Sequence, residues 1–241
     1  MKENQPLRNI NRVITMKKYN KIKKILFAAI CGGLFIACQQ PHNVNDLCLG
    51  NSITKHPIKE DIEWFSDWGM AASNIEYDYC HQLEKMLCKY HPNSTVTPLN
   101  IASWERNLSC DIDSLIGSYC KNKDIIIIRL GENVQDVTTF PDAISRLVKY
   151  CQSKAKRVII TGCFWKNDSK ERSIIHAART NDLTYVPLYW IDNLYNVRPQ
   201  IGDTLYDINK KPYVITQDFI ITHPNDEGMQ MIAETIWGVI R

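Results

Sequence analysis

The sequence lacks the motifs that mark several common classes of protein. It contains neither a GxxxxGK[ST] segment nor a GxGxxG segment, so it offers no glycine-rich loop for a nucleotide phosphate. Its nine cysteines form no CxxC pair and show no Cys/His spacing typical of a metal site. No internal repeat is visible, and the longest apolar run, residues 25–37, is too short to cross a bilayer comfortably. We therefore expect neither a metal nor a cofactor.

The distribution of charge argues against a nucleic-acid partner. The formal net charge is +3, but residues 1–37 hold eight Lys and Arg and one Glu. The rest of the chain therefore carries 21 basic and 25 acidic residues, a net charge of −4. A mildly acidic body without a basic stripe is not typical of proteins that bind nucleic acid.

The N-terminus has the pattern of a secretion signal. Lysines between residues 17 and 24 precede the apolar run, which ends in Ala37-Cys38 and a polar stretch. A small residue before a cysteine resembles the lipobox of bacterial lipoproteins, in which that cysteine is lipidated. We predict an N-terminal extension and lipoprotein signal peptide over 1–37, a tether over 38–44, and membrane anchoring through Cys38 in the bacterial cell envelope. A core helix or a plain cleaved signal are the alternatives.

Seven cysteines remain outside the predicted signal. An envelope location permits disulfides, but the number is odd and most of these cysteines lie at apolar positions of predicted strands or helices. Buried free thiols are the favoured interpretation. The seven are Cys48, Cys80, Cys88, Cys110, Cys120, Cys151 and Cys163.

Strands and helices alternate through residues 45–241. The clearest strand is 124–130, whose continuous isoleucine run indicates burial on both faces, as in a parallel sheet covered by helices. This alternation predicts an α/β domain, a three-layer α/β/α sandwich around a mostly parallel five-stranded sheet. A hairpin is predicted within 201–218. The other predicted strands are 44–49, 94–100, 157–162 and 184–188, and the helices are 76–90, 107–120, 141–152, 168–180 and 227–240.

Three polar side chains follow predicted strands or precede the last helix. Ser52 comes directly after the first strand, where Gly50 permits a sharp turn. Asn133 follows the third strand, and His223, in His223-Pro224, comes just before the last helix. Active sites in open α/β sheets lie at the carboxyl ends of the strands, so these side chains can meet there. A serine beside a histidine base and an amide donor is the arrangement that acyl transfer requires.

Four short blocks resemble the SGNH (GDSL-type) hydrolases. They are Gly50-Asn51-Ser52-Ile53, with Asn51 in place of the usual aspartate, then residues 68–74, 131–134 and 223–225. The resemblance implies the flavodoxin-like fold of that family and a serine esterase that needs no cofactor. It also implies Ser52 as nucleophile, His223 as base, and an oxyanion hole from the Ser52 N–H, the Asn133 side chain and the N–H of Ala72, with Gly69 as the alternative.

The third member of the triad is the main departure from the family. The usual aspartate would stand at Ile220. Asp218 could orient His223 if the loop bulges, and a backbone carbonyl could equally hold the ring. We expect Asp226, three residues after the histidine, to cap the last helix instead.

The predicted substrate is a small acyl ester, such as an acetyl ester, on a carbohydrate. His56, Trp68 and Trp165 are the residues expected to line its site, since tryptophans in loops can stack on sugar rings, although burial in the core is commoner for tryptophan. Two other hypotheses remain open. One is a lipoprotein that kept the fold, lost catalysis and binds glycan; the other is a flavodoxin-like cofactor-binding module.

Overall fold

The computed structural model describes residues 43–241, and all statements below refer to that range. The predicted signal peptide, the lipidation site Cys38 and residues 38–42 of the tether lie outside it. The strands are β1 (Asn45–Gly50), β2 (Thr95–Asn100), β3 (Ile125–Ile128), β4 (Arg157–Thr161), β5 (Thr184–Val186), β6 (Thr204–Tyr206) and β7 (Pro212–Val214). The helices are α1 (Tyr79–Cys88), α2 (Ala102–Arg106), α3 (Ile112–Ile116), α4 (Phe140–Gln152), α5 (Asp168–Thr180) and α6 (Asp226–Ile240).

Five strands form one parallel sheet in the order β2-β1-β3-β4-β5. Leu49 of β1 pairs with Leu99 of β2 on one side and with Ile128 of β3 on the other. This is the flavodoxin-like strand order, in which the chain reverses its direction of winding at β1 and β3 and leaves a crevice outside their carboxyl ends. The predicted parallel five-stranded sheet is confirmed.

Two hydrophobic cores cover the two faces of the sheet. Successive side chains of a strand point to opposite faces, so Leu49 and Ile128 lie in one core and Cys48 and Ile127 in the other. Helices α4 and α5 cover the first face, and α1 and α6 cover the second. The result is the predicted three-layer sandwich.

The predicted helix over 107–120 is wrong. Within that range the chain forms only the short helix α3, and a second short helix, α2, lies before it, separated from α3 by residues 107–111. Asn107 leaves the helical region at φ −137° and ψ 84°, and Asp111 begins a new helix by accepting a hydrogen bond from Asp113 N–H. The difference matters because α2 brings Glu105 to the carboxyl end of the sheet.

The predicted hairpin is present as the antiparallel pair β6 and β7. It contacts the loop that follows β1, since Tyr206 N–H donates to Ser73 O at 2.9 Å and Ser66 Oγ donates to Tyr206 O at 2.8 Å. The seven cysteines between residues 43 and 241 are all free thiols, five of them buried. No helix in this part of the protein has the length and apolar character needed to cross a membrane.

Candidate active site

The first and last parts of the domain meet at the carboxyl end of β1. Ser52 Oγ lies 2.9 Å from His223 Nε2, although the two residues are 171 positions apart in sequence. Ser52 stands in the turn after β1, whereas His223 follows a 3₁₀ turn at Ile220–Thr222 and precedes α6. His223 is 6% exposed. The structure thus brings together the two residues that the sequence predicts as nucleophile and base.

A tight turn presents the Ser52 side chain. Asn51 O accepts hydrogen bonds from the N–H groups of Thr54 and Lys55, at 2.9 and 3.0 Å. A Cβ atom at position 50 would come within 1.8 Å of Thr54 Oγ1, which explains the glycine there. The turn ends the strand abruptly and leaves the serine hydroxyl at the edge of the sheet.

The surroundings of His223 fix its tautomer. Nδ1 lies 2.9 Å from Phe219 O, and because a carbonyl oxygen can only accept, Nδ1 carries the proton. Nε2 is then free to accept the Ser52 hydroxyl proton. Burial lowers the pKa of His223 to about 4, so the imidazole is neutral near neutral pH and able to act as a general base.

The carboxylate predicted from Asp218 does not face His223. Within residues 43–241 the hydrogen bonds of Nδ1 join it to Phe219 O and, at 3.3 Å, to Thr222 Oγ1. The reason is the 3₁₀ turn, which directs the Phe219 carbonyl, four residues before the histidine, toward the ring. The backbone-carbonyl alternative matches this geometry.

Asp226 also differs from its prediction. Asn225 caps α6 by accepting from Gly228 N–H at 3.0 Å. Asp226 instead accepts from the N–H and the hydroxyl of Ser73, at 2.7 and 2.6 Å. It therefore ties the first turn of α6 to the loop after β1, and this loop is the second of the four sequence blocks.

Asn133 is held by a residue that the sequence analysis missed. Its side-chain amide donates to Glu105 Oε2 at 2.7 Å, and Glu105 Oε1 accepts from Gly131 N–H at 2.6 Å and Asn133 N–H at 3.3 Å. Glu105 is 1% exposed, and burial together with the nearby charge of Glu132 raises its pKa. One of the two Asn133 amide hydrogens remains available to a ligand.

A buried ion pair stands behind the serine turn. Arg129 Nη1 donates to Glu132 Oε1 at 2.6 Å, and both side chains are fully buried. Burial alone would raise the pKa of Glu132, but the guanidinium of Arg129 holds it below its ordinary value. Glu132 also accepts from Phe164 N–H at 2.9 Å. Removing one member of such a pair would leave an uncompensated buried charge.

This network gives a physical reason for Asn51, which stands where the SGNH hydrolases that this sequence resembles usually have aspartate. Asn51 Nδ2 donates to Glu132 Oε2 at 2.7 Å and to Glu105 Oε1 at 3.3 Å, while Asn51 Oδ1 accepts from Arg129. An aspartate would add a third carboxylate against two others and could not donate to either. An amide satisfies all three neighbours, so Asn51 fixes the turn that carries Ser52.

The predicted oxyanion donors differ in their availability. Ala72 is fully buried, and its N–H donates to Gly69 O at 3.2 Å. The alternative donor, Gly69 N–H, faces Asp78 Oδ2 at 3.4 Å. By contrast, the Ser52 N–H has no protein acceptor among the described residues, and the Asn133 amide keeps one hydrogen. The Ser52 N–H and the Asn133 side chain are thus the two predicted donors that remain available.

A cavity of about 660 Å³ opens over the serine. His56 lines it, as the sequence predicts, whereas Trp68 does not: it is 3% exposed, and its Nε1 donates to Ala72 O at 3.0 Å. Trp165 lies beside the site, with its ring edge-on to His223 at a centroid distance of 5.3 Å. The cavity is lined by Ser52, His56, Pro57, Lys59, Ile62, Met70, Asn100, Ala102, Ser103, Arg106, Asn133, Phe219 and His223.

The residues that the sequence analysis missed carried a recognisable signal. Arg129 interrupts the apolar run of residues 125–130, directly after β3, and Glu132 stands three residues later. A charged residue inside such a run must be paired. Glu105 likewise stands beside the buried Trp104, just after β2. No group of three or more His, Cys, Asp or Glu side chains within residues 43–241 could hold a metal ion.

Comparison with known proteins identifies the fold. No family model and no curated protein matches the sequence. Among solved structures, a two-domain esterase active on acetylated mannans aligns with 91% of this chain and 53% of its own, at 17% identity and a TM-score of 0.56. An acetylxylan esterase from Geobacillus stearothermophilus aligns over 83% and 95%, at 14% identity and a TM-score of 0.55. A putative lipolytic protein of the G-D-S-L family from Desulfitobacterium hafniense aligns over 82% and 100%, at 14% identity and a TM-score of 0.51. The chain therefore has the fold of these GDSL-type proteins.

Proposed function

We propose that this protein is a serine esterase that removes small acyl groups, such as acetyl, from a carbohydrate. The observation that carries the proposal is the 2.9 Å contact between Ser52 Oγ and His223 Nε2 at the floor of an open cavity that Asn133 also lines. The similar structures include an acetylxylan esterase and an esterase active on acetylated mannans, which supports both the acyl group and the sugar proposed for the substrate.

The geometry supports a two-step reaction. His223 Nε2 takes the hydroxyl proton as Ser52 Oγ attacks the ester carbonyl, and Phe219 O stabilises the imidazolium through Nδ1–H. The Ser52 N–H and the Asn133 amide donate to the oxyanion. The ester C–O bond then breaks, and the departing alcohol takes the proton from His223. Water, activated by the same imidazole, hydrolyses the acyl-enzyme and restores Ser52.

Turnover of p-nitrophenyl acetate tests this reaction. We expect Ser52→Ala to lower kcat/KM by at least about 10³-fold, because the nucleophile is lost. Ser118→Ala, which changes an exposed serine in the turn after α3, is the matched control and should behave like the unchanged protein. A fluorophosphonate should label the unchanged protein but not Ser52→Ala. Equal rates in Ser52→Ala and Ser118→Ala would contradict the proposal and favour a glycan-binding protein without turnover.

Release of acetate from polysaccharide tests the carbohydrate part. We expect the protein to release acetate from acetylated xylo- or manno-oligosaccharides, with loss of that activity in Ser52→Ala. Hydrolysis of p-nitrophenyl acetate without acetate release from any acetylated glycan would limit the proposal to ester hydrolysis.

We also propose that lipid on Cys38 holds the protein at a membrane of the bacterial cell envelope. The support is the sequence pattern: clustered lysines, a short apolar run and a cysteine before a polar stretch. Cys38→Ala should move the expressed protein from the membrane fraction to the soluble fraction. Mass spectrometry should find an acylated N-terminal cysteine in the unchanged protein. An unacylated chain that begins elsewhere would contradict this proposal.

A further inference from the structure

The charged residues that line the cavity over Ser52 are all basic. Lys59 and Arg106 lie in its wall with two histidines, and none of the described residues that line it is Asp or Glu. The chain beyond residue 37 carries a net charge of −4, so this local excess of positive charge runs against the average of the domain. A cleft lined by charge of one sign concentrates ligands of the opposite sign.

Arg106 is available to a ligand. It is the last residue of α2, directly after Glu105, and its side chain is exposed. In the range 43–241 no carboxylate lies within ion-pair distance of Arg106, and its guanidinium makes no hydrogen bond to the protein. A planar guanidinium with five donors matches a carboxylate in a bidentate geometry. Arg106 is therefore placed to bind an anionic group.

Lys59 adds a second positive charge to the same wall. Its ammonium lies 3.5 Å from Asp61, but both side chains are more than half exposed, so water weakens this pair. Burial lowers the pKa of His56, and the charges of Lys59 and Arg106 lower it further. The positive charges of Lys59 and Arg106 are therefore both felt at His56, in the wall of the cavity. The neutral imidazole that results suits hydrogen bonding to a hydroxyl group.

The cavity is larger than a small acyl group needs. Its volume of about 660 Å³ lies within the range of pockets that enclose whole small molecules, roughly 300–1,000 Å³. The exposed Ser103 also lines it, and its hydroxyl makes no hydrogen bond to the described part of the protein. Space, a free hydroxyl and two cations beside the reacting serine together fit an acidic sugar.

We propose that the natural substrate is an acylated carbohydrate that carries a carboxylate, which Arg106 and Lys59 bind while Ser52 attacks the ester. The identity of the reaction rests on the proposed function, but the binding of an anionic sugar can be measured without turnover.

Calorimetric titration with a trimer of α-1,4-linked galacturonic acid, and with the matching neutral galactose trimer, tests the inference. We expect the acidic trimer to bind the unchanged protein at least tenfold more tightly, and added salt to weaken that binding. Arg106→Gln should reduce the preference for the acidic trimer at least fivefold. Arg179→Gln, which removes an exposed arginine of α5 outside the cavity, is the matched control and should keep the preference.

The outcomes separate this inference from the esterase reaction. Equal binding of the two trimers, binding of neither, or identical preferences in Arg106→Gln and Arg179→Gln would overturn the inference, even where Ser52-dependent turnover of p-nitrophenyl acetate is intact. Tight binding of the acidic trimer that depends on Arg106, with equal turnover in the unchanged protein and Ser52→Ala, would overturn the reaction and keep the anionic ligand.

Discussion

The dependence of activity on pH gives the sharpest test of the catalytic arrangement. An ordinary histidine has a pKa of about 6.5 and would be only about 9% neutral at pH 5.5. Burial lowers the pKa of His223 to about 4, at which the imidazole would be about 97% neutral at the same pH. Because the base must be neutral to accept the Ser52 proton, we expect kcat/KM to be nearly constant down to pH 5 and to halve near pH 4.

This profile also distinguishes the two ways of orienting the ring. A carboxylate beside Nδ1 would favour the imidazolium and raise the histidine pKa. The neutral carbonyl of Phe219 stabilises the imidazolium only weakly. A midpoint at pH 6.5 or above, in protein that is still folded, would refute the assignment of a buried His223 held by a carbonyl.

The assay must separate loss of the base from loss of the fold. The pKa of His223 is lower in the folded protein than in the unfolded chain, so the unfolded chain binds more protons between about pH 6.5 and 4. The contribution of His223 to stability is thus fully present above pH 6.5 and is lost as the pH falls through 4, by about 3 kcal/mol at most. Acetate release should therefore be measured alongside tryptophan fluorescence, and only pH values with a native spectrum should be used.

Three further predictions follow from side chains around the site and in the core. Asp218→Asn should change kcat/KM less than about twofold, whereas a loss near 10⁴-fold would show that this carboxylate orients His223. Glu105→Ala should lower kcat about 10- to 100-fold, because Asn133 loses its acceptor; Glu105→Gln, which keeps one acceptor oxygen, should be milder, and equal effects of the two variants would contradict this role. Asp46 is fully buried, and burial raises its pKa to about 7 although the backbone of Ile125 and nearby cations act in the opposite direction. The folded protein then keeps this proton while the unfolded chain releases it near pH 3.8, so stability falls as the pH rises from about 4 to 7. Chemical denaturation should show that Asp46→Asn removes about 3 kcal/mol of this loss between pH 5 and 8, and an unchanged pH dependence would contradict it.

The order of the secondary structure was predictable because it depends on local patterns. The isoleucines of β3 are buried on both faces, and this pattern is visible in four consecutive letters of the sequence. Gly50, two residues before Ser52, marks the end of β1 through its local conformational preference. Parallel pairing then places residues that follow β1 and β3 at one edge, so the meeting of Ser52 with Asn133 could be expected.

The partners of the site residues were less predictable, because they depend on how loops cross in space. Glu105 was missed because no helix was predicted over α2, and its four donors come from positions 51, 131 and 133. Trp68 is a residue type that often stacks on sugar rings, but in the folded protein it is packed in the core and buried.

The sequence by itself determined the layered α/β architecture and the two side chains that face each other at the edge of its sheet. The periodicity of apolar residues indicates which face of a helix or strand is buried. The order of the four sequence blocks indicates which strand ends carry polar groups. Only the tertiary structure decided what holds His223. Its partner is the main-chain carbonyl of Phe219. Every residue has such a carbonyl, so the identity of the amino acid at that position could not predict this contact. The direction of that carbonyl is set by the 3₁₀ turn at Ile220–Thr222, so it is a property of the folded chain and not of one residue type.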